Sequence, residues 1–384
     1  MSVGVVHPSL NRGGGAERVC LGVIKALVGD GFRVRLYTLD RVDWNRLEGR
    51  LGNLVRPHEE TWLMDMLPIR GEHSLEFYTS TLYPILLIKS RAEAPSSLII
   101  NTYGDLIEGV ADISYINAIP SRLLHHYPGL NPLYKRIASK AYDLSLKGLE
   151  GLFERGLMLT NSRFMQTLLK QRRGYEALVV YPPVDIERFL QNPDGDRENI
   201  VVSVSRIRRG KQLESAIRVA RMVEEGEFII LGLADQASKD SLESLMKTIR
   251  DMGLEDRVKL LINQPFMRFR SALSRAKVYL HTQPMEAFGI SVVEAMASGC
   301  VPVVPRLGGP WRDILELRNG YYGFGYSSVE EASGRISMLL KDEEERREIS
   351  MRARLRAEDF DAPIFEDRIL RIVRWMLEKQ SNMV

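Results

Sequence analysis

Cysteine is scarce in this sequence of 384 residues: only Cys20 and Cys300 occur, each within an apolar helix or strand pattern and without metal-like spacing. That excludes a disulfide scaffold and a cysteine-based zinc site, and a reducing, cytosolic setting fits. Long hydrophobic runs are missing too. The longest, residues 84–88 and 228–231, fall far short of the roughly 18 residues needed to cross a bilayer, so any membrane contact is peripheral. The opening MSVGVVHPSL has no basic stretch ahead of a long apolar one and reads as a first strand rather than a secretion signal. Nor is there an excess of one charge: 53 Lys+Arg against 50 Asp+Glu leave +3, too little to imply nucleic acid. Neither an internal repeat nor a low-complexity tract is found.

What is present is ordinary globular composition, 45% hydrophobic and 27% charged, in a chain long enough for two or three domains. Short β-rich runs alternate with segments of helical period, the pattern of an α/β protein with parallel strands. Strands are expected over 3–7 and 33–38, with a helix over 16–28 between them. The alternation restarts with strands over 200–205, 227–231, 258–262, 278–281 and 301–304, and helices over 212–223, 239–252 and 290–297. Between these halves, Tyr181-Pro182-Pro183-Val184-Asp185 and Asn192-Pro193-Asp194-Gly195-Asp196 are linker and turn chemistry. The reading is therefore two Rossmann-like domains, 1–183 and 184–362, and an amphipathic C-terminal helix, 363–384, that either ends the second domain or crosses back to the first.

Two stretches of the first half stand out. Residues 121–180 hold ten basic and four acidic side chains, a local excess of +6. Such a segment is either a solvated helix face or one that lies against anionic lipid headgroups. Residues 56–90, with Trp62, Met66, Phe77, Tyr78 and Tyr83, break the alternation. They read as an irregular aromatic stretch that binds something greasy or anchors an insertion inside.

Three clusters carry chemistry. Asn11-Arg12-Gly13-Gly14-Gly15-Ala16-Glu17-Arg18 follows the first strand and opens the first helix, where glycines allow close approach and free N–H groups favour an anion. The spacing is not GxGxxG, and no acid is clearly placed about 20 residues on, which weakens a nicotinamide-dehydrogenase reading. In the second half a strand ends in Arg206-Ile207-Arg208-Arg209-Gly210-Lys211, cations gathered where α/β sheets bind ligands and most simply aimed at a diphosphate. His281-Thr282-Gln283-Pro284-Met285-Glu286-Ala287-Phe288-Gly289-Ile290-Ser291-Val292-Val293-Glu294 then delivers two glutamates through a strand, a glycine turn and a helix start. One is placed to accept bonds from a sugar, the other from a ribose diol. Leu307-Gly308-Gly309-Pro310 adds a further backbone-rich turn. Asp194-Gly195-Asp196 has the form of a metal-holding Asp-x-Asp but sits in a polar turn and is read as turn chemistry.

Together with Thr160-Asn161-Ser162 and Val180-Tyr181-Pro182-Pro183-Val184-Asp185, these residues resemble the retaining glycosyltransferases of family 4, which have the GT-B architecture of two Rossmann-like domains facing across a cleft. Within that family the chain looks most like the lipid-linked-oligosaccharide α-1,2-mannosyltransferases that use GDP-mannose. The resemblance implies an acceptor-binding first domain and a nucleotide-sugar-binding second domain. It makes Arg206 and Lys211 the partners of the donor diphosphate, Glu294 the ribose ligand and Glu286 the contact of the transferred sugar. Amides around Phe288, Gly289 and Ile290 hold hydroxyls and phosphate, and Gly14 and Gly15 close over the diphosphate. The nucleotide-sugar is a substrate, so no cofactor and no metal are expected. The acceptor is a glycan or lipid-linked glycan, met at the inner face of a membrane.

One position departs from the pattern. In Ser114-Tyr115-Ile116-Asn117-Ala118 the family usually carries a histidine where this chain has Asn117, counted here in the catalytic set with Glu286, Arg206 and Lys211. Asparagine donates a hydrogen bond but takes no proton, and His125 and His126 lie nearby in sequence. Retaining transfer can use the departing phosphate oxygen as base. The alternatives are a UDP-sugar donor or a catalytically silent nucleotide-sugar-binding subunit.

Overall fold

The computed structural model describes residues 1–66, 74–95, 97–104, 110–117, 156–190, 197–235 and 238–382. Most of the basic segment, with His125 and His126, lies outside these residues, as does Asp194-Gly195-Asp196. Contacts divide the chain into two units, Met1–Pro183 with Pro363–Val384, and Val184–Ala362.

In the first unit the strands are β1 (Ser2–Val6), β2 (Arg33–Asp40), β3 (Glu59–Met64), β4 (Leu98–Asn101), β5 (Ile113–Ile116), β6 (Leu157–Thr160) and β7 (Leu178–Val179). They form one sheet in the order β3-β2-β1-β4-β5-β6-β7, every pairing parallel. The second unit has β8 (Glu198–Arg206), β9 (Glu227–Leu233), β10 (Val258–Ile262), β11 (Ala276–Leu280), β12 (Val301–Pro305) and β13 (Phe324–Tyr326). Their order is β10-β9-β8-β11-β12-β13, again all parallel. Helices cover both faces of such sheets, so the inner strands are short unbroken apolar runs: Val3, Val5 and Val6 in β1 and Val301, Val303 and Val304 in β12 are all buried.

The described helices are α1 (Gly15–Gly29), α2 (Trp44–Leu51), α3 (Ser74–Glu93), α4 (Arg163–Arg173), α5 (Glu214–Met222), α6 (Lys239–Asp251), α7 (Phe266–Arg275), α8 (Ile290–Ala297), α9 (Val329–Lys341), α10 (Glu343–Glu358) and α11 (Ala362–Ser381). Among them none is long and apolar enough to cross a membrane. The last, α11, belongs to the first unit. Its Phe365, Ile369 and Val373 share a core with Val3, Val5, Ile24 and Ile100, and the Phe365 ring meets Tyr115 edge to face at 6.1 Å. Gly22 of α1 makes room for it, since a Cβ there would lie 3.0 Å from the Phe365 ring.

The described residues between 56 and 90 are more regular than their sequence suggests. They contain edge strand β3, paired to β2 from Arg35↔Glu59 to Asp40↔Met64, and most of α3. A strand at a sheet edge buries little, and β3 is only partly buried along its length, so no clean alternation marks it. Tyr83 is an interior anchor, whereas Met66, Ile85 and Ile88 are exposed.

Each sheet reverses its strand order once, between β1 and β4 and between β8 and β11. Open α/β sheets bind ligands outside the carboxyl ends of their strands at such a switch point. His7 and Thr102 stand there in the first unit, Arg206 and His281 in the second.

Candidate functional site

In the second unit β8 ends at Arg206, and the turn that follows brings Lys211 beside the segment after β11. Lys211 Nζ lies 2.9 Å from Glu286 Oε2, each side chain 22% exposed. Thr282 Oγ1 donates to the Lys211 carbonyl at 2.7 Å and fixes the two segments in register. Burial alone would raise the Glu286 carboxyl, but the charges of Lys211, His281 and Arg206 and the Lys211 hydrogen bond outweigh it and hold it at about 2. Glu286 is therefore an acceptor at every physiological pH and not a proton donor.

The glutamate's backbone is held as firmly. Glu286 bridges Gly308 in parallel fashion, and its carbonyl accepts from Gly309 N at 2.8 Å. Gly308 has φ +106°, and a Cβ there would fall 2.8 Å from the Glu286 carbonyl oxygen. This close approach, not a loose turn, is what the Gly308-Gly309 pair is for.

Gly289, at φ +98°, caps α8, and no side chain closes the helix start. By contrast Asp43, Ser162, Ser328 and Asp342 cap α2, α4, α9 and α10 with their side chains. The start of α8 thus presents amides and positive dipole to a ligand. Glu294, one turn in, is buried. The Phe288 ring is core, edge to face with Phe360 at 5.2 Å, so only its backbone is available at the surface of the site. Sequence reasoning missed what seats this helix: Tyr279 Oη and Ser291 Oγ are 2.8 Å apart, joining β11 to α8.

Among the cations after β8 the roles diverge. Arg206 is exposed. Arg208 makes a bidentate pair with Asp235 at 2.8 and 2.7 Å and bonds Ser238, so it braces the β9–α6 turn. His281 is buried, and desolvation, with a smaller contribution from Lys211, brings its pKa down to about 4.

At the corresponding edge of the first unit, α1 starts from Gly14, also without a capping side chain, and Gly13 has φ +60°. Asn11 anchors this turn by donating to Asp40 Oδ2 at 3.0 Å and to the Arg41 carbonyl at 2.9 Å. A chain of side chains then crosses the carboxyl ends of β1, β4, β5 and β6. His7 Nδ1 meets Thr102 Oγ1 at 3.0 Å, and Thr102 Oγ1 also lies 3.0 Å from the Val6 carbonyl. Asn117 Nδ2 donates to the Thr102 carbonyl and Asn161 Nδ2 to the Asn117 carbonyl, each at 2.5 Å. The amide that stands where a histidine was expected is thus already committed to the backbone. Among the described residues no group of three or more His, Cys, Asp or Glu is placed to hold a metal.

Residues 185–356 match the family described as Glycosyl transferases group 1. A Dictyostelium discoideum GDP-Man:Man(3)GlcNAc(2)-PP-Dol alpha-1,2-mannosyltransferase is 26% identical over 99% of this chain and 85% of its own length. The human protein of that name is 29% identical over 62% of this chain, which spans about half (52%) of that relative. Among solved structures, sucrose-phosphate synthase from Thermosynechococcus elongatus superposes with TM-score 0.75 at 14% identity, covering 99% of this chain and 100% of that one. Anabaena Alr3699/HepE in complex with UDP superposes with TM-score 0.72 at 20% identity, covering 97% and 100%. The fold is GT-B, residues 185–356 match the group 1 glycosyltransferases, and the protein is a glycosyltransferase.

Proposed function

We propose that the protein transfers mannose from GDP-mannose, with retention of configuration, to a lipid-linked glycan. The observation that carries this reading is the Lys211–Glu286 pair beside Arg206 at the β8/β11 switch point, next to the uncapped start of α8. Arg206 and Lys211 take the donor diphosphate and stabilise the charge that grows on it as the sugar leaves, with no metal required. Lys211 then exchanges one Glu286 oxygen for phosphate, which frees that carboxylate to accept from the sugar's hydroxyls. The amides of Phe288, Gly289 and Ile290 hold sugar and phosphate oxygens, and Glu294 accepts from the ribose diol. The start of α1, with Gly14 and Gly15, offers a second set of amides to an anion. The donor and acceptor follow the names of the relatives matched along the chain. With the acceptor in a bilayer, the enzyme works at the cytoplasmic membrane surface, its exposed Met66, Ile85 and Ile88 suited to lipid contact.

A second reading, a nucleotide-sugar-binding subunit without turnover, draws on Asn117, whose amide is committed to Thr102 and takes no proton. Calorimetry with GDP-mannose, UDP-glucose, UDP-N-acetylglucosamine and NAD, on the wild type and Glu294→Ala, tests the donor. Selective GDP-mannose binding that weakens roughly 10- to 100-fold in the variant is the expected result, the size of one lost charged hydrogen bond. Binding of none of the sugar nucleotides would remove the reading. Tight binding with no GDP release would favour the silent subunit.

A further inference from the structure

The end of β11 has two sides, and the donor residues use only one. Tyr279 bonds Ser291 of α8, whereas Leu280 and Thr282, alternating with Tyr279 and His281, line a separate cavity of about 340 Å³. It lies between the starts of α5 and α9 and the carboxyl ends of β11, β12 and β13. Thr282, which lines this cavity, donates to the carbonyl of Lys211, the lysine of the Lys211–Glu286 pair.

The lining decides what class of molecule fits. Val219, Leu280 and Tyr326 give an apolar floor, with the Tyr326 hydroxyl turned away to the His281 carbonyl at 2.8 Å. Around it stand the hydroxyls of Ser215, Thr282 and Ser327 and the amide of Gln212, a non-glycine residue held at φ +51°. The charge there is not positive. Arg306 is neutralised by a bidentate pair with Glu331 at 2.8 and 2.5 Å, and the first turns of α5 and α9 carry Glu214, Glu330 and Glu331. Those acids oppose a phosphate at either helix start. An apolar floor ringed by hydroxyls and an amide, without net positive charge, matches the flat apolar face and equatorial hydroxyls of a neutral sugar ring, and the volume is in the range of small-molecule sites.

We propose that this cavity is a saccharide subsite that holds an inner sugar of the acceptor glycan, distinct from the position of the transferred sugar; this rests on the glycan-acceptor reading above. The test is calorimetry on the full chain with mannobiose as probe, mannose 6-phosphate as charged control, and GDP present or absent. Two variants narrow the cavity, Ser215→Phe on α5 and Ser327→Trp at its exposed rim, so that if the first fails to fold the second still reports. Mannobiose should bind whether or not GDP is bound, more tightly than mannose 6-phosphate, and each variant should weaken it by about tenfold or more while GDP-mannose affinity stays at the wild-type value. Mannobiose that fails to bind the wild type, is displaced by GDP, or binds both variants unchanged overturns the subsite. GDP-mannose that fails to bind the wild type overturns the donor assignment instead, and the mannobiose arms still decide the cavity.

Discussion

Glu286 stays ionised because Lys211, His281 and Arg206 surround it, and the same arrangement makes Lys211 the residue that must let go when a diphosphate arrives. Glu286→Gln keeps size and one acceptor oxygen but loses the charge. It should cut kcat/KM for the sugar nucleotide by roughly 10- to 100-fold, and because the Glu286 pKa is about 2, the acid limb of the wild-type pH–rate profile should not move in the variant. A limb that vanishes with this substitution would show Glu286 to be titrating in the working range. The two glutamates and the basic turn were legible as residue types at a strand–turn–helix spacing. Their pairing was not, because Lys211 and Glu286 are brought together by three crossovers of the second sheet rather than by local sequence.

Two buried histidines give a pH signature of their own. Burial lowers His7 to about 3 and His281 to about 4, from 6.5. On acidification from pH 6.5 the unfolded chain takes up protons that the folded one refuses, so stability is full above pH 6.5 and falls towards pH 4. The melting temperature should therefore drop between pH 7 and 4.5. His7→Asn, which keeps a hydrogen-bonding group for Thr102, and His281→Asn should each flatten that slope whatever their starting stability; slopes equal to wild type would assign the acid sensitivity to other groups.

At the scale of elements, two helices at the sheets' carboxyl edges begin at a glycine instead of a capping side chain. Ser162, Ser328 and Asp342 close their helices with side chains, whereas α1 and α8 begin at Gly14 and Gly289. The turn behind α8 is packed backbone against backbone: a Cβ on Gly309 would run into the Ala287 carbonyl oxygen. Gly309→Ala should displace the 286–289 turn and abolish donor binding, with a stability loss of about 1–3 kcal/mol, measured by calorimetry and denaturant titration on the same preparation. Inner strands such as β9 and β12 were readable from their short buried apolar runs. Edge strand β3 and helix α3 were not, because partial burial and Pro84 inside α3 erase the periodicity that marks an amphipathic element. Tyr279 and Ser291 carried no local signal, since a tyrosine on a buried strand looks like core until its hydroxyl is seen to find a partner.

For the whole molecule, the chain leaves the first unit after Pro183, builds the second and returns to the first at Pro363. An amphipathic stripe on residues 363–379 announces a buried helix without naming the surface that buries it, so the docking of α11 on the first sheet is visible only in the fold. Phe365, 2% exposed, is its main anchor, and Phe365→Ala should cost about 3–5 kcal/mol. Because Phe365 belongs to the first unit's core, hydrogen exchange should rise in β1 and α1 and stay unchanged in β8–β13. Equal loosening of both sheets would mean that the two units unfold as one.

The most direct measurement of the central claim is transfer itself: the full chain, GDP-mannose and a synthetic lipid-diphosphate oligosaccharide, with GDP release and the anomeric proton of the product followed by NMR. GDP should form in step with an α-linked mannosyl product, and both should be lost in Glu286→Gln. A β-linked product, or GDP-mannose left intact beside an acceptor that binds, would contradict that claim.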